Sequence, residues 1–102
     1  MVKRGDIWQV KGTQGERTVC VVSLDGLDET FGACLAIVLH PPGAYPDTIM
    51  SVHLNAPVEA VAVALNITQL KTARFHDGTH LGNIGPDALA RIDQALRAVL
   101  DL

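Results

Sequence analysis

Apolar residues fall in short runs along this chain, and most of the runs are strand-length. DIWQV (6–10) is rich in β-forming side chains. It leads into the polar tip KGTQGE (11–16), where Gly12 and Gly15 mark a chain reversal. RTVCVVSL (17–24) and ACLAIVLH (33–40) are apolar at almost every position, as in strands covered on both faces. Between them DGLDETFG (25–32), with turn residues at both ends, reads as a loop. PPGAYPD (41–47) holds three prolines and a glycine in seven residues, which stops any ladder. TIMSVHL (48–54) alternates: Ile49, Ser51 and His53 fall on one face, Met50, Val52 and Leu54 on the other, predicting a half-buried strand. NAPVEA (55–60) is a turn, and VAVALNITQL (61–70) is a strand whose far end becomes polar at Asn66, Thr68 and Gln69.

The segment KTARFHDGTHLGNIG (71–85) keeps no single period. Its composition admits a helical turn over 71–75 and a short strand, THLGNI, after Asp77-Gly78. The last stretch, PDALARIDQALRAVLDL (86–102), predicts an amphipathic helix. Pro86 suits a first helical position, and Asp87 suits the positive end of the helix dipole. Ala88, Leu89, Ile92, Ala95, Leu96, Val99 and Leu100 make one apolar stripe, with Arg91, Asp93, Gln94 and Arg97 opposite. Five or six strands with short links and a terminal helix predict a mainly β fold: a small, strongly bent antiparallel sheet or SH3-like barrel with one helix packed on it. At 102 residues the chain suits a single domain, 1–102.

Composition narrows the function. Hydrophobic residues make up 48% and aromatics only 4%, so the core is aliphatic. The formal net charge of −3 argues against a broad nucleic-acid-binding face, so any such contact has to be local. Cys20 and Cys34 sit inside apolar runs without CxxC spacing or a nearby histidine pair, and read as buried free thiols. That usage fits a cytoplasmic protein. MVKRGDIWQV lacks the apolar centre of a signal peptide, and the longest apolar run, ACLAIVL, is strand-sized, so no membrane partner is expected.

The candidate chemistry lies at strand ends. His40, His53, His76 and His80 are scattered; His76 and His80 are four apart, but the intervening Asp-Gly-Thr argues against a shared helix face. No metal and no other cofactor is expected, and there is no phosphate-binding glycine loop or GxSxG elbow. Arg17 begins the second strand, His40 ends the third, and Thr68, Gln69, Lys71 and Thr72 close the fifth. In a small barrel such ends can converge at one rim. An arginine there stabilises a pentacovalent phosphorane and a histidine takes the proton of a 2′-hydroxyl, which suffices for metal-free RNA cleavage. Each also has an ordinary structural reading, Arg17 as an exposed strand-start charge and His40 as the last strand residue before Pro41-Pro42.

RGDIWQV, GTQGERTVCVVS, ACLAIVLH, VAVALNITQLKT and IGPDALARIDQALRAVLDL, taken in order, resemble the MazF/PemK family of toxin ribonucleases over nearly the whole chain. That family opens near RG(D/E)IW, ends its tip in RP-V-VVS, and runs its fifth strand into (D/E)Q(I/V)(R/K)(S/T). The resemblance implies a compact antiparallel barrel-like sheet with a C-terminal helix, working as a homodimer. It implies metal-independent cleavage of single-stranded RNA at short sequences and neutralisation by a cognate antitoxin protein. It makes Arg17 the catalytic arginine and gives Lys11, Thr13, Gln14, Thr68, Gln69, Lys71 and Thr72 to RNA binding. Many members carry a serine or threonine as the second catalytic group at the end of strand three, where this chain has His40. Thr18 replaces the family's proline, and Thr68 replaces the acid before Gln69. Lys3, Arg4, Lys11, Arg17, Lys71 and Arg74 would supply the basic cluster if strands one, two and five meet. The competing readings are a CcdB-like gyrase poison that acts by protein binding, favoured by the acidic charge and the missing hydroxyl, and a small non-toxic interaction domain.

Overall fold

The apolar runs pair into a single sheet. In the computed structural model, which describes residues 2–12 and 15–102, β1 (Asp6–Gly12), β2 (Gly15–Val21), β3 (Ala33–His40), β4 (Ser51–Leu54), β5 (Ala60–Lys71) and β6 (Thr79–Asn83) lie in the order β4-β5-β3-β2-β1-β6. Every pairing is antiparallel, both between consecutive strands and in the non-consecutive pairs β1–β6 and β3–β5. The sheet curls into a half-barrel with β4 and β6 as its edges. A short helix, α1 (Leu27–Phe31), joins β2 to β3; a 3₁₀ turn, Thr72–Phe75, follows β5; and the C-terminal helix, α2 (Gly85–Leu100), packs on one face.

Alternation along the strands sorts two cores. Ile7, Cys20, Val22, Ile37, Leu39, Val52 and Leu54 face α2 and meet its Ala88, Ile92 and Ala95. The opposite face carries Val10, Val19, Val21, Cys34 and Ala36, closed by Val2 and by Phe75 of the 3₁₀ turn. Trp8 packs edge-on to Phe75 there, with ring centroids 5.3 Å apart. The continuous apolar runs of β2 and β3 are thus explained by burial on both sides. Cys20 and Cys34 are free and buried, one in each core. Burial pushes their thiols up to about 12 and about 11, so both stay protonated and unreactive at neutral pH.

Several boundaries differ from the sequence reading. β2 begins at Gly15 and leaves the ladder after Val21, because Ser23 is buried and its hydroxyl accepts the Leu35 amide at 3.0 Å. The segment 25–32, expected to be loop throughout, contains α1. Gly26 and Gly32 bracket it at φ 92° and 72°, a region open to glycine, and Asp28 and Glu29 lie in its first turn. β4 is shorter than TIMSVHL: Thr48 and Ser51 pair their hydroxyls at 3.2 Å and turn the chain, leaving Ile49 79% exposed. Leu100 is 56% exposed, so the apolar stripe of α2 ends at Val99, which still packs on the core.

A polar joint fastens β1, β6 and α2. The Asp6 carboxylate is buried and accepts the Lys3 amide at 2.8 Å and the Asn83 side-chain amide at 3.0 Å, with His80 Nε2 at 3.3 Å. The Asn83 oxygen accepts the Gly85 amide at 2.8 Å, which ties β6 to the start of α2. Arg4 forms a two-pronged pair with Asp93 of α2 and donates to the Val22 carbonyl at 2.8 Å. Burial by itself raises the Asp6 carboxyl, but the hydrogen bonds of Asn83, Lys3 and His80, with the His80 charge, outweigh it and hold the group below its ordinary 3.8. A depressed carboxyl stabilises the fold fully above its unfolded value and stops doing so as the pH falls through its folded value. Between about pH 5 and pH 3 the wild type is therefore expected to lose more stability than Asp6→Asn, measured by urea unfolding across that range. Equal losses would show that Asp6 does not carry the effect.

Candidate functional site

The second core runs out of apolar residues at the β1–β2 tip and becomes polar. Arg17 lies two residues before Val19 on β2, on the same face, opposite Val10 of β1. Carrying the Val19–Val38 pair two residues further along both strands sets Arg17 opposite His40. The same face of β5 holds Thr68, opposite Ala36, and Leu70, opposite Cys34. β5 is irregular before this: Ile67 pairs with Ile37, the next matched pair is Ala62 with Leu39, and residues 63–66 stand against Val38 alone. Such an excess bends a strand and re-aims its side chains. Here Leu65 is pushed out to 70% exposure, and the Asn66 side chain reaches His40, Nδ2 to Nε2 at 3.0 Å.

Two adjoining clefts share Arg17. One, of about 460 Å³, is lined by Arg17, Val38, His40, Tyr45, Leu65, Asn66 and Ile67. The other, of about 170 Å³, is lined by Val10, Lys11, Gly12, Arg17, Thr68, Gln69, Leu70 and Arg74. Among the described residues no carboxylate lines either cleft, although the chain carries eleven acids. Three cations, Lys11, Arg17 and Arg74, meet in the smaller one. Arg74 is steadied by donating to the Lys11 carbonyl at 3.1 Å. The arrangement gathers positive charge beside an imidazole. The Asn66 side-chain amide fixes the His40 ring through its Nε2, leaving Nδ1 as the other ring nitrogen.

The sequence-derived candidates divide. Arg17 and His40 share the larger cleft, and Lys11, Thr68 and Gln69 line the smaller. Thr13 and Gln14 lie outside the described residues. Lys71 is exposed at the end of β5, opposite Ala33, and lines neither cleft. The Thr72 hydroxyl donates to the Asp28 carbonyl at 3.0 Å and its amide to Gly32 at 2.8 Å, so it holds α1 in place. Of the six residues expected to form a basic cluster, Arg4 is instead paired with Asp93, and Lys3 lines neither cleft. His76 and His80 do not share a helix, and among the described residues no three His, Cys, Asp or Glu side chains gather as metal ligands do.

Two cleft residues escaped the sequence reading. Asn66 was visible only as the first polar residue of β5, since the irregular register that aims it leaves no trace in residue spacing. Tyr45 belongs to the proline segment that follows His40, and its ring lies 4.6 Å from the imidazole, centroid to centroid. Its signal was available: it is the single tyrosine of a chain poor in aromatics, just before Pro46 and five residues after the candidate histidine.

A curled six-stranded antiparallel half-barrel, with one terminal helix on one face and a cationic cleft on the other, defines the structural class. The chain has the fold of the MazF toxins. An endoribonuclease in complex with its cognate antitoxin from a mycobacterial species superposes with a TM-score of 0.89 at 21% identity, covering 100% of this chain and 97% of that one. MazF from a MazE–MazF crystal structure of Deinococcus radiodurans gives 0.82 at 20% identity over 99% and 96%. The Mycobacterium tuberculosis toxin MazF-mt6 gives 0.79 at 12% identity over 95% and 97%. No family model and no curated relative matches the chain by sequence. No helix among the described residues is long and apolar enough to cross a membrane.

Proposed function

We propose that this protein is a toxin endoribonuclease that cuts single-stranded RNA at short sequences without a metal and is held inactive by a cognate antitoxin protein. The observation that carries this reading is the pair of acid-free clefts meeting at Arg17, in a chain whose net charge is otherwise negative. Backbone phosphates are the ligand such a site favours, and concentrating the cations locally gives affinity without a basic surface overall. The MazF fold supports the reading, because solved proteins of that fold include an endoribonuclease bound to its antitoxin.

In the reaction the 2′-hydroxyl of one nucleotide attacks its own 3′-phosphate. Its proton passes to a base as the 2′-oxygen–phosphorus bond forms, and the phosphorus–5′-oxygen bond breaks with protonation of the leaving oxygen. Arg17 stabilises the charge that accumulates on the phosphoryl oxygens. His40, its imidazole held by Asn66 in the cleft it shares with Arg17, is the acid–base group in place of the family hydroxyl. Lys11, Thr68, Gln69 and Arg74 hold the flanking backbone, with Lys71 and the tip residues Thr13 and Gln14 extending the contact. The protein acts as a cytoplasmic homodimer in this reading, and exposed apolar side chains such as Leu24 (72%) and Phe31 (75%) offer surface for subunit or antitoxin contact.

Mapping the ends produced from a long defined RNA in EDTA tests the proposal. Discrete cuts at a recurring short sequence are expected. An uncut RNA, together with stabilised DNA cleavage complexes when the protein meets gyrase, would move the function to the protein-binding class.

A further inference from the structure

We infer that Tyr45, backed by Asn66, forms a stacking subsite for one unpaired nucleobase of single-stranded RNA, next to the phosphate held by Arg17. The inference rests on the ribonuclease reading above and adds a base-binding residue to it.

Three of the four aromatic residues of this chain have other surroundings. Trp8 and Phe75 pack on each other in the second core, and Phe31 stands on α1, outside both clefts. Tyr45 alone lies in the larger cleft, 44% exposed, with Arg17 in the same wall. Large aromatic surface left open to water in a polar cleft is surface available to a ligand. An exposed ring beside a guanidinium is the pairing that single-strand binders use, one group for the base and one for its phosphate.

The ring is also held in position. Pro41, Pro42 and Pro46 restrict the backbone around it, and the Ala44 amide closes a turn onto the Pro41 carbonyl at 3.2 Å. The Ser51 hydroxyl donates to the Pro46 carbonyl at 3.1 Å, anchoring the far side of the segment to β4. The imidazole of His40 braces the ring from within the cleft. A platform already ordered before binding loses little entropy when a base settles on it. Asn66 completes the subsite. One end of its side-chain amide meets His40 Nε2 at 3.0 Å, while the other end has no partner among the described residues, so it can meet the edge of a stacked base. Leu65 adds apolar surface in the same cleft.

The test is binding of uncleavable, fluorescently labelled 2′-O-methyl oligoribonucleotides, read by anisotropy for wild type, Tyr45→Ala, Tyr45→Phe and Tyr45→Trp. Single strands of each base and a duplex of the same length are compared. Tyr45→Ala is expected to weaken single-strand binding about tenfold or more, while the phenylalanine and tryptophan variants stay within about twofold of wild type. Duplex binding, which offers phosphates and no free base faces, is expected to be unchanged by all three. Tyr45→Ala binding single strands as wild type does, or Tyr45→Phe losing as much as Tyr45→Ala, overturns the subsite. Wild type binding none of the single strands overturns the RNA reading itself, so the two failures are told apart. Tyr45 lies in an exposed segment, and an unchanged thermal melt for each variant ties any loss to the ring.

Discussion

Arg17→Ala is expected to slow specific RNA cleavage by about a hundredfold to ten-thousandfold while leaving the fold intact. The guanidinium sits at the junction of both clefts, and the residue is exposed, outside either core. Its removal therefore takes charge from the transition state without opening a cavity. Arg17→Lys is expected to recover only part of the loss, because a single ammonium cannot present two parallel donors to a phosphoryl group. Initial rates on a defined RNA, with a thermal melt of each variant, make the measurement. Cutting by Arg17→Ala at the wild-type rate would remove Arg17 from the mechanism. His40→Ala carries a comparable expectation, about a hundredfold or more, if imidazole moves the proton. His40→Ser restores the hydroxyl found in many MazF/PemK toxins, so it discriminates: a serine variant as fast as wild type would mean that a hydroxyl, and not proton transfer by imidazole, is what the position needs.

Ile92→Ala is expected to destabilise the protein by about 3 kcal/mol and to lower its melting temperature by about 10 °C or more. Ile92 is fully buried at the middle of α2, and its buried helix neighbours, Ala88 and Ala95, are small. Leu96 and Val99 pack alongside only partly buried, so Ile92 is the one large side chain that α2 buries completely, and its removal opens a cavity in a close-packed core. Urea or thermal unfolding of the purified variant reads the effect. A loss below about 1 kcal/mol would contradict the packing of α2 described above. Because α2 lies on the face opposite the clefts, cleavage well below the melting temperature should change little.

The sequence carried the fold further than the site. Two strands apolar on both faces, a proline-blocked segment and a helix with a 3.6-residue stripe leave few arrangements besides a curled sheet with one helix. The helix α1 was hidden because a five-residue element flanked by glycines has the composition of a loop. The shortening of β4 came from hydroxyl pairing between Thr48 and Ser51, which alternation does not record. At the site, Arg17 and His40 were legible as strand-end groups because strand ends in a small barrel share a rim. Thr72 looked like part of the same group, but the chain turns at the end of β5 and its hydroxyl is spent on α1. Asn66 depends on four residues of β5 standing opposite one of β3, a feature of pairing and not of either strand by itself.

Burial on both faces has a cost in information for β2. A strand that is polar on one side cannot shift by one residue without turning its apolar set to water, whereas Val19 to Val22 offer nearly the same greasy surface after such a shift. Hydrophobicity therefore says little about which of the two faces Arg17 should take. The choice falls to polar contacts at the far end of the strand: the Ser23 hydroxyl on the Leu35 amide, the Gly5 amide on the Val21 carbonyl, and Arg4 on the Val22 carbonyl. These groups touch neither cleft, yet they act as the index marks of a ruler whose other end carries the candidate catalytic arginine. The aim of the site is set at the opposite end of the same strand.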